Sequence, residues 1–413
     1  MKNLLILGAG TAGTTLVNKL RPKLDRGEWR ITIVDSDPDH HYQPGYLFIP
    51  FGTYTPDEVI KPKRDFIPDG VDYVEASIER VEPERRVVVL ADGAELPYDY
   101  LVIATGTHPR PDQTPGLEGE EYGKTIHDFY TLEGATALAA ALDQFQSGKH
   151  LVVNIIELPI KCPVAPLEFA FLADDYFRAK GIGDQVDITY VTPLDGAFTK
   201  PIASAHLGTM LDERGIGLEA DFYLERVDAE RRVLVSYDER EVPYDLLVTV
   251  PVNMGADFVA TSGLGDELNH VRVDPYTFQS DDHPDIFALG DAANLPTSKA
   301  GSVAHFSVDV FTDNFLSLIA GRPMTERFDG HANCFIESGN GKALLIDFNY
   351  DTEPLPGKYP YPVVGPFTLL KENRLNHWGK LAFRSIYWNF LLPGRRIPVP
   401  TEMPMAGKEI AAT

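Results

Sequence analysis

Leu4-Leu5-Ile6-Leu7-Gly8-Ala9-Gly10-Thr11-Ala12-Gly13 is an apolar run that breaks into three glycines at fixed spacing. A strand ending in G-x-G-x-x-G uses the first glycine for a tight turn. The second lets backbone approach a pyrophosphate, and the third lets the following helix pack closely on the strand. The helix that opens there presents unpaired N–H groups and the positive end of its dipole to phosphate. Downstream, Ile31-Thr32-Ile33-Val34 is a second apolar strand closed by Asp35, whose carboxylate suits the hydroxyls of a ribose. Strand, glycine turn, a helix to about Leu24 and this second strand predict a βαβ unit of a parallel sheet that binds a dinucleotide. The plainer alternative is a set of ordinary turn glycines, and the carboxylate after the second strand weighs against it.

Part of this unit recurs. Glu79-Arg80-Val81, Glu84-Arg85-Arg86-Val87, Pro97-Tyr98-Asp99 and Leu101-Val102 reappear 146 positions later as Glu225-Arg226-Val227, Glu230-Arg231-Arg232-Val233, Pro243-Tyr244-Asp245 and Leu247-Val248. Carried upstream, that offset lays the glycine turn on Asn154-Ile155-Ile156-Glu157-Leu158-Pro159, which holds no glycine. The second unit's counterpart of Ile31–Val34, Ile188-Thr189-Tyr190-Val191, ends in Thr192 rather than a carboxylate. Two similar units were built and the second lost its phosphate turn, so it should bind a nicotinamide dinucleotide poorly or not at all.

With 413 residues and 44% hydrophobic content, the chain suits two or three domains with ample core. Its formal charge of −24 argues against a nucleic-acid partner. Met1-Lys2 and the run to Ala9 read as the first strand rather than a signal peptide, and no stretch reaches the ~20 apolar residues of a membrane-spanning helix. No metal-ligand pattern stands out.

The chain has two cysteines. Cys162 lies in Lys161-Cys162-Pro163-Val164-Ala165-Pro166-Leu167-Glu168, where a helix running to Lys180 is expected to begin. A thiol at a helix N-terminus has its thiolate stabilised by the dipole. Cys334 lies far downstream, and two distant cysteines read alone are more often inert buried thiols. At the other end, Asn373 to Thr401 contains no acidic residue while Arg374, Lys380, Arg384, Arg395 and Arg396 are basic. Phe383, Ile386, Tyr387, Phe390 and Leu391 recur at helical spacing, with Trp378 and Trp388 nearby. An aromatic, basic amphipathic helix suits a monotopic membrane anchor; the alternative is a terminal helix docked on the acidic body of its own protein.

Two further segments complete the pattern: Ala104-Thr105-Gly106 after an apolar strand, and Gly290-Asp291 after Ile286-Phe287-Ala288-Leu289. The order of motifs resembles the two-dinucleotide-binding flavoproteins. With a Cys-Pro turn where the second glycine motif should be and Cys334 beyond Gly290-Asp291, it is similar to sulfide:quinone oxidoreductase and the flavoprotein subunit of flavocytochrome c sulfide dehydrogenase.

The resemblance implies an α/β fold: two Rossmann-like units in tandem, the second degenerate, and a C-terminal domain ending in an amphipathic helix. Residues 1–110 and 256–325 would hold FAD, 111–255 the degenerate unit with Cys162, and 326–413 the redox and membrane-anchoring domain with Cys334. FAD would contact Gly8, Gly10, Gly13, Asp35, Thr105, Gly106, Gly290 and Asp291, with Lys299 near the flavin. Cys162 and Cys334 would be a redox pair opened by hydrosulfide, with Glu168 moving protons. Electrons would leave for a membrane quinone beside Trp378, Lys380, Phe383, Tyr387 and Trp388, at a lipid bilayer surface. His127 stands near where many family members carry a third cysteine, so noncovalent FAD is expected. The loop His41-Tyr42-Gln43-Pro44-Gly45-Tyr46 loosely matches one placed over the flavin ring. A cytochrome acceptor, a type II NADH dehydrogenase, a noncatalytic flavin sensor and a homo-oligomer remain open.

Overall fold

The computed structural model describes residues 1–362 and 365–409. Two five-stranded parallel sheets dominate it. In the first, the order is Ile286–Ala288, Tyr100–Ile103, Lys2–Leu7, Trp29–Asp35 and Asp72–Glu75. In the second it is Ile126–His127, Leu246–Val250, Lys149–Ile155, Val186–Val191 and Gly217–Glu219. Their central strands are apolar and buried, as sheets covered on both faces require. The first sheet is completed only by Ile286–Ala288, so the second unit interrupts the first in sequence.

The repeat is a structural one. The antiparallel strands Ile78–Glu82, Val87–Leu90 and Glu95–Pro97 recur as Leu224–Asp228, Val233–Ser236 and Glu241–Pro243, each 146 residues on. The first strands of the two units do not keep that offset. Leu4 pairs with Tyr100 while Leu151 pairs with Leu246, so Leu4 corresponds to Leu151 rather than His150. The glycine turn therefore falls on Ile155 to Ile160, one residue later than the sequence repeat implies, and still meets no glycine. In the first unit the helix Thr11–Leu20 starts four residues after its strand; in the second, Ala165–Ala179 starts only after a longer loop that carries Cys162.

Residues 332–369 add a four-stranded sheet, Ala332–Gly339, Lys342–Phe348, Phe367–Leu369 and Gly357–Tyr359. Its first strand carries Cys334 and packs on the helix that follows Cys162. The helix Arg374–Ile386 and a π-helical turn at Tyr387–Leu391 lie across this sheet and reach the first unit. Among the described residues, no helix is long and apolar enough to cross a membrane.

Candidate active site

Each glycine of the first turn has a distinct physical reason. Gly8 has a φ of +98°, and a Cβ there would lie 2.5 Å from the Ala104 carbonyl oxygen. A Cβ on Gly13 would lie 1.9 Å from the Gly8 carbonyl oxygen. Gly10 faces open space, with nothing within 4 Å of a Cβ. The turn is thus closed against its own chain at two positions and open toward a cleft at the third, as a pyrophosphate approaching backbone requires.

That cleft runs on past Asp35, Thr105, Gly106, Gly290, Asp291 and Lys299 to Cys162, Glu168 and Lys380. Asp35 Oδ1 accepts the Asp37 N–H at 3.0 Å and pairs with Lys63 at 2.9 Å, while Oδ2 accepts the Ala9 N–H at 2.7 Å and keeps a lone pair for a ribose hydroxyl. Thr105 Oγ1 is buried with no hydrogen-bond partner among the described residues. The Lys299 ammonium donates to the carbonyls of Asp291 and Ala293 at 2.9 and 3.0 Å, and burial pulls its pKa down to about 8. An open glycine, an unpartnered hydroxyl and a ribose carboxylate along one groove fit an extended dinucleotide. Gln43, Pro44 and Tyr46 of the expected aromatic-proline loop line it too, whereas His127 does not; its Nε2 lies 2.9 Å from the Lys124 carbonyl oxygen.

At the far end, Cys162 adopts a φ of +47°, a left-handed conformation that residues with a Cβ rarely take. Its N–H donates to the Lys299 carbonyl at 2.7 Å, tying the loop to the flank of the cleft. Burial, then the Glu168 carboxylate, push its thiol up to about 12, against the pull of Lys380. This reverses the expectation of a dipole-stabilised thiolate. The helix begins three residues later, with Pro166 rather than Pro163 inside its first turn, and burial outweighs it. Cys334 is buried and likewise raised, by burial and then by Cys162. Both are free thiols here.

Glu168 is fully buried rather than a solvated first-turn residue. Its Oε2 accepts the Glu337 N–H at 2.9 Å and pairs with Lys380, which also donates to the Phe335 carbonyl at 2.9 Å; its Oε1 has no partner among the described residues. Burial, offset by Lys380, raises its pKa. Lys380 therefore belongs to the cysteine site, not to a lipid-facing surface. Sequence reasoning missed Glu337 and its partner His377. The one available signal was a glutamate inside a strand whose other residues are mostly apolar.

The C-terminal helix corrects a second expectation. Tyr387, Trp388 and Leu391 are buried. Tyr387 Oη bonds Thr11 Oγ1 and His40 Nε2, both at 2.7 Å, and Trp388 stacks on Phe66 at 5.3 Å. Burial, then Lys63, hold His40 neutral by pushing it down to about 3. Phe383 is half-buried and lines the cleft. Of the expected stripe, Ile386 and Phe390 stay in solvent, and with Leu375 and Trp378, the latter 63% exposed, they form the exposed apolar face.

Glycine turn, Asp35, Thr105-Gly106, Gly290-Asp291 and two Rossmann-like sheets define an oxidoreductase of the two-dinucleotide-binding flavoprotein fold. The pyridine nucleotide-disulphide oxidoreductase family model matches residues 2–156. Over most of its length the chain is similar to sulfide:quinone oxidoreductases. The mitochondrial enzyme of Dictyostelium discoideum is 28% identical, covering 95% of this chain and 86% of that protein. The mitochondrial enzyme of Mus musculus is 27% identical, covering 94% and 86%. The X-ray structure of the sulfide:quinone oxidoreductase of Aquifex aeolicus superposes with a TM-score of 0.79 at 19% identity, covering 96% of this chain and 92% of that one.

Proposed function

We propose that this chain oxidises hydrosulfide through Cys162 and Cys334 and passes the electrons by way of FAD to a quinone at a membrane surface. The observation that carries the reading is the convergence of Cys162, Glu168 and Lys380 at one end of the nucleotide cleft, with Cys334 on the strand packed behind them. Gly8, Gly10, Gly13, Asp35, Thr105, Gly106, Gly290 and Asp291 would hold FAD, with Lys299 beside the ring. When bound, FAD supplies a two-electron carrier between donor and acceptor.

In the oxidised state the two thiols form a disulfide. Hydrosulfide attacks one sulfur, the sulfur–sulfur bond breaks, and a persulfide remains on one cysteine and a thiolate on the other. Burial disfavours that thiolate, and the ammonium of Lys380 offsets the cost; the same ammonium is already committed to Glu168, so the two anions compete for it. Glu168, with a raised pKa and a free Oε1, is placed to accept the proton of hydrosulfide.

The donor is tested directly. Sulfide should bleach the bound flavin anaerobically within seconds, whereas NADH should not, because Ile155, Glu157 and Ile160 stand where a pyrophosphate turn needs glycines. Rapid bleaching by NADH and none by sulfide would overturn the reading.

Membrane docking is tested on the exposed stripe, since truncating the helix would also remove Lys380 and Tyr387. Replacing Trp378 and Phe390 with serine should weaken flotation with anionic liposomes by roughly two orders of magnitude, at about 1.5–3 kcal/mol per large side chain buried. Arg374, Arg395 and Arg396, all exposed, should make binding of the unaltered protein salt-sensitive. Unchanged flotation of the double variant would place the stripe against another surface.

A further inference from the structure

The reaction proposed above has a proton requirement. Hydrosulfide gives up two electrons and one proton as its sulfur joins the persulfide. A quinone takes two electrons and two protons, so one proton per turnover must come from solvent. Glu168 is fully buried, and the Lys380 side chain, 12% exposed, faces the cleft that the cofactor would fill.

A second pair lies behind them. Glu337 is 1% exposed, and its two carboxylate oxygens lie 3.0 and 2.9 Å from His377 Nδ1. The backbone N–H of Glu337 donates to Glu168 Oε2 at 2.9 Å, which brings the Glu168 carboxylate against the strand residue that bears the second carboxylate, and the Lys380 charge acts on both. The His377 side chain is 21% exposed and packs edge-on against Trp378 at 5.8 Å. Two paired sets of ionisable groups, Glu168 with Lys380 and Glu337 with His377, thus adjoin at the Glu337 backbone, and the outer one surfaces beside the exposed stripe.

We propose that Glu337 and His377 form the outer half of a proton path that admits the solvent proton consumed in quinone reduction. This rests on the sulfide–quinone reading. Neither residue touches substrate; both act through Glu168 and Lys380. Glu337 is suited to carry a proton because burial raises its carboxyl, with Lys380 and then His377 opposing. The other charged or titratable groups acting on this corner are Glu168 from the helix after Cys162, Lys380 on the C-terminal helix, and Tyr54, whose own pKa responds to Arg384, Lys380 and Glu337.

The experiment compares the two half-reactions in His377→Ala and Glu337→Gln, with FAD bound. Single-turnover flavin reduction by sulfide should keep its rate, whereas steady-state quinone reduction should fall about tenfold or more at alkaline pH and recover toward acid pH. Added imidazole should restore turnover of His377→Ala, because the vacated site is partly open to solvent. A pH profile parallel to that of the unaltered protein, no response to imidazole, or equal losses in both half-reactions would overturn the path. Failure of sulfide to reduce the unaltered protein would remove the underlying reading instead, and that result is read before any variant is made.

Discussion

Cys162→Ser should lower sulfide-dependent quinone reduction by roughly three orders of magnitude while FAD stays bound, as expected when a covalent nucleophile is removed. Cys334→Ser should do the same, since a disulfide needs both partners. The backbone sharpens the test at Cys162. A side chain at a φ of +47° costs about 1–2 kcal/mol, which glycine would not incur. Cys162→Gly should therefore be as inactive as the serine variant yet no less stable to thermal unfolding. A residue that opposes local stability is retained there for its sulfur. Losses of only a few per cent in all three variants would return the thiols to the inert class.

Lys380→Met should destabilise the fold by about 3–5 kcal/mol near neutral pH, because it leaves Glu168 buried without its counter-charge. The pH dependence has a definite sign. Burial already raises Glu168, and removal of the ammonium raises it further. A carboxyl whose folded pKa exceeds its unfolded value binds a proton more tightly in the native state. Stability of the variant is therefore fullest at acid pH and is lost as pH rises through that raised pKa. Denaturant melts between pH 5 and 9 measure this, and Lys380→Met with Glu168→Gln should recover most of the neutral-pH loss. A pH-independent deficit that the second substitution leaves intact would mean that Lys380 contributes packing alone.

The parts legible in the sequence were those fixed by local backbone geometry. Gly8, Gly10 and Gly13 occupy the three roles their spacing implies, since turn, open face and helix contact are settled within a few residues. The hairpin repeat survived at its offset of 146 because bulged antiparallel strands carry their own turn signals. The one-residue slip at Leu151 was invisible because a parallel strand buried on both faces shows no alternation to mark its register. Cys162 was misjudged because the sequence reveals a nearby helix start, whereas its pKa is set by burial and by Glu168 against Lys380, which is over two hundred residues distant. The inward face of the C-terminal helix was likewise undecidable, since Tyr387 finds its partners at Thr11 and His40.

That last contact bears on how the molecule is made. The first sheet lacks an edge until Ile286–Ala288 has been synthesised, whereas the second sheet is assembled entirely from residues 126–219 and 246–250. As the chain leaves the ribosome, the inserted unit can finish folding while the glycine turn still waits for its sheet to close. The hydroxyl of Tyr387 reaches that turn 376 residues after Thr11. The nucleotide cleft is thus completed only late in synthesis, and a chain terminated before Tyr387 would carry an unfinished cofactor site beside a folded second unit.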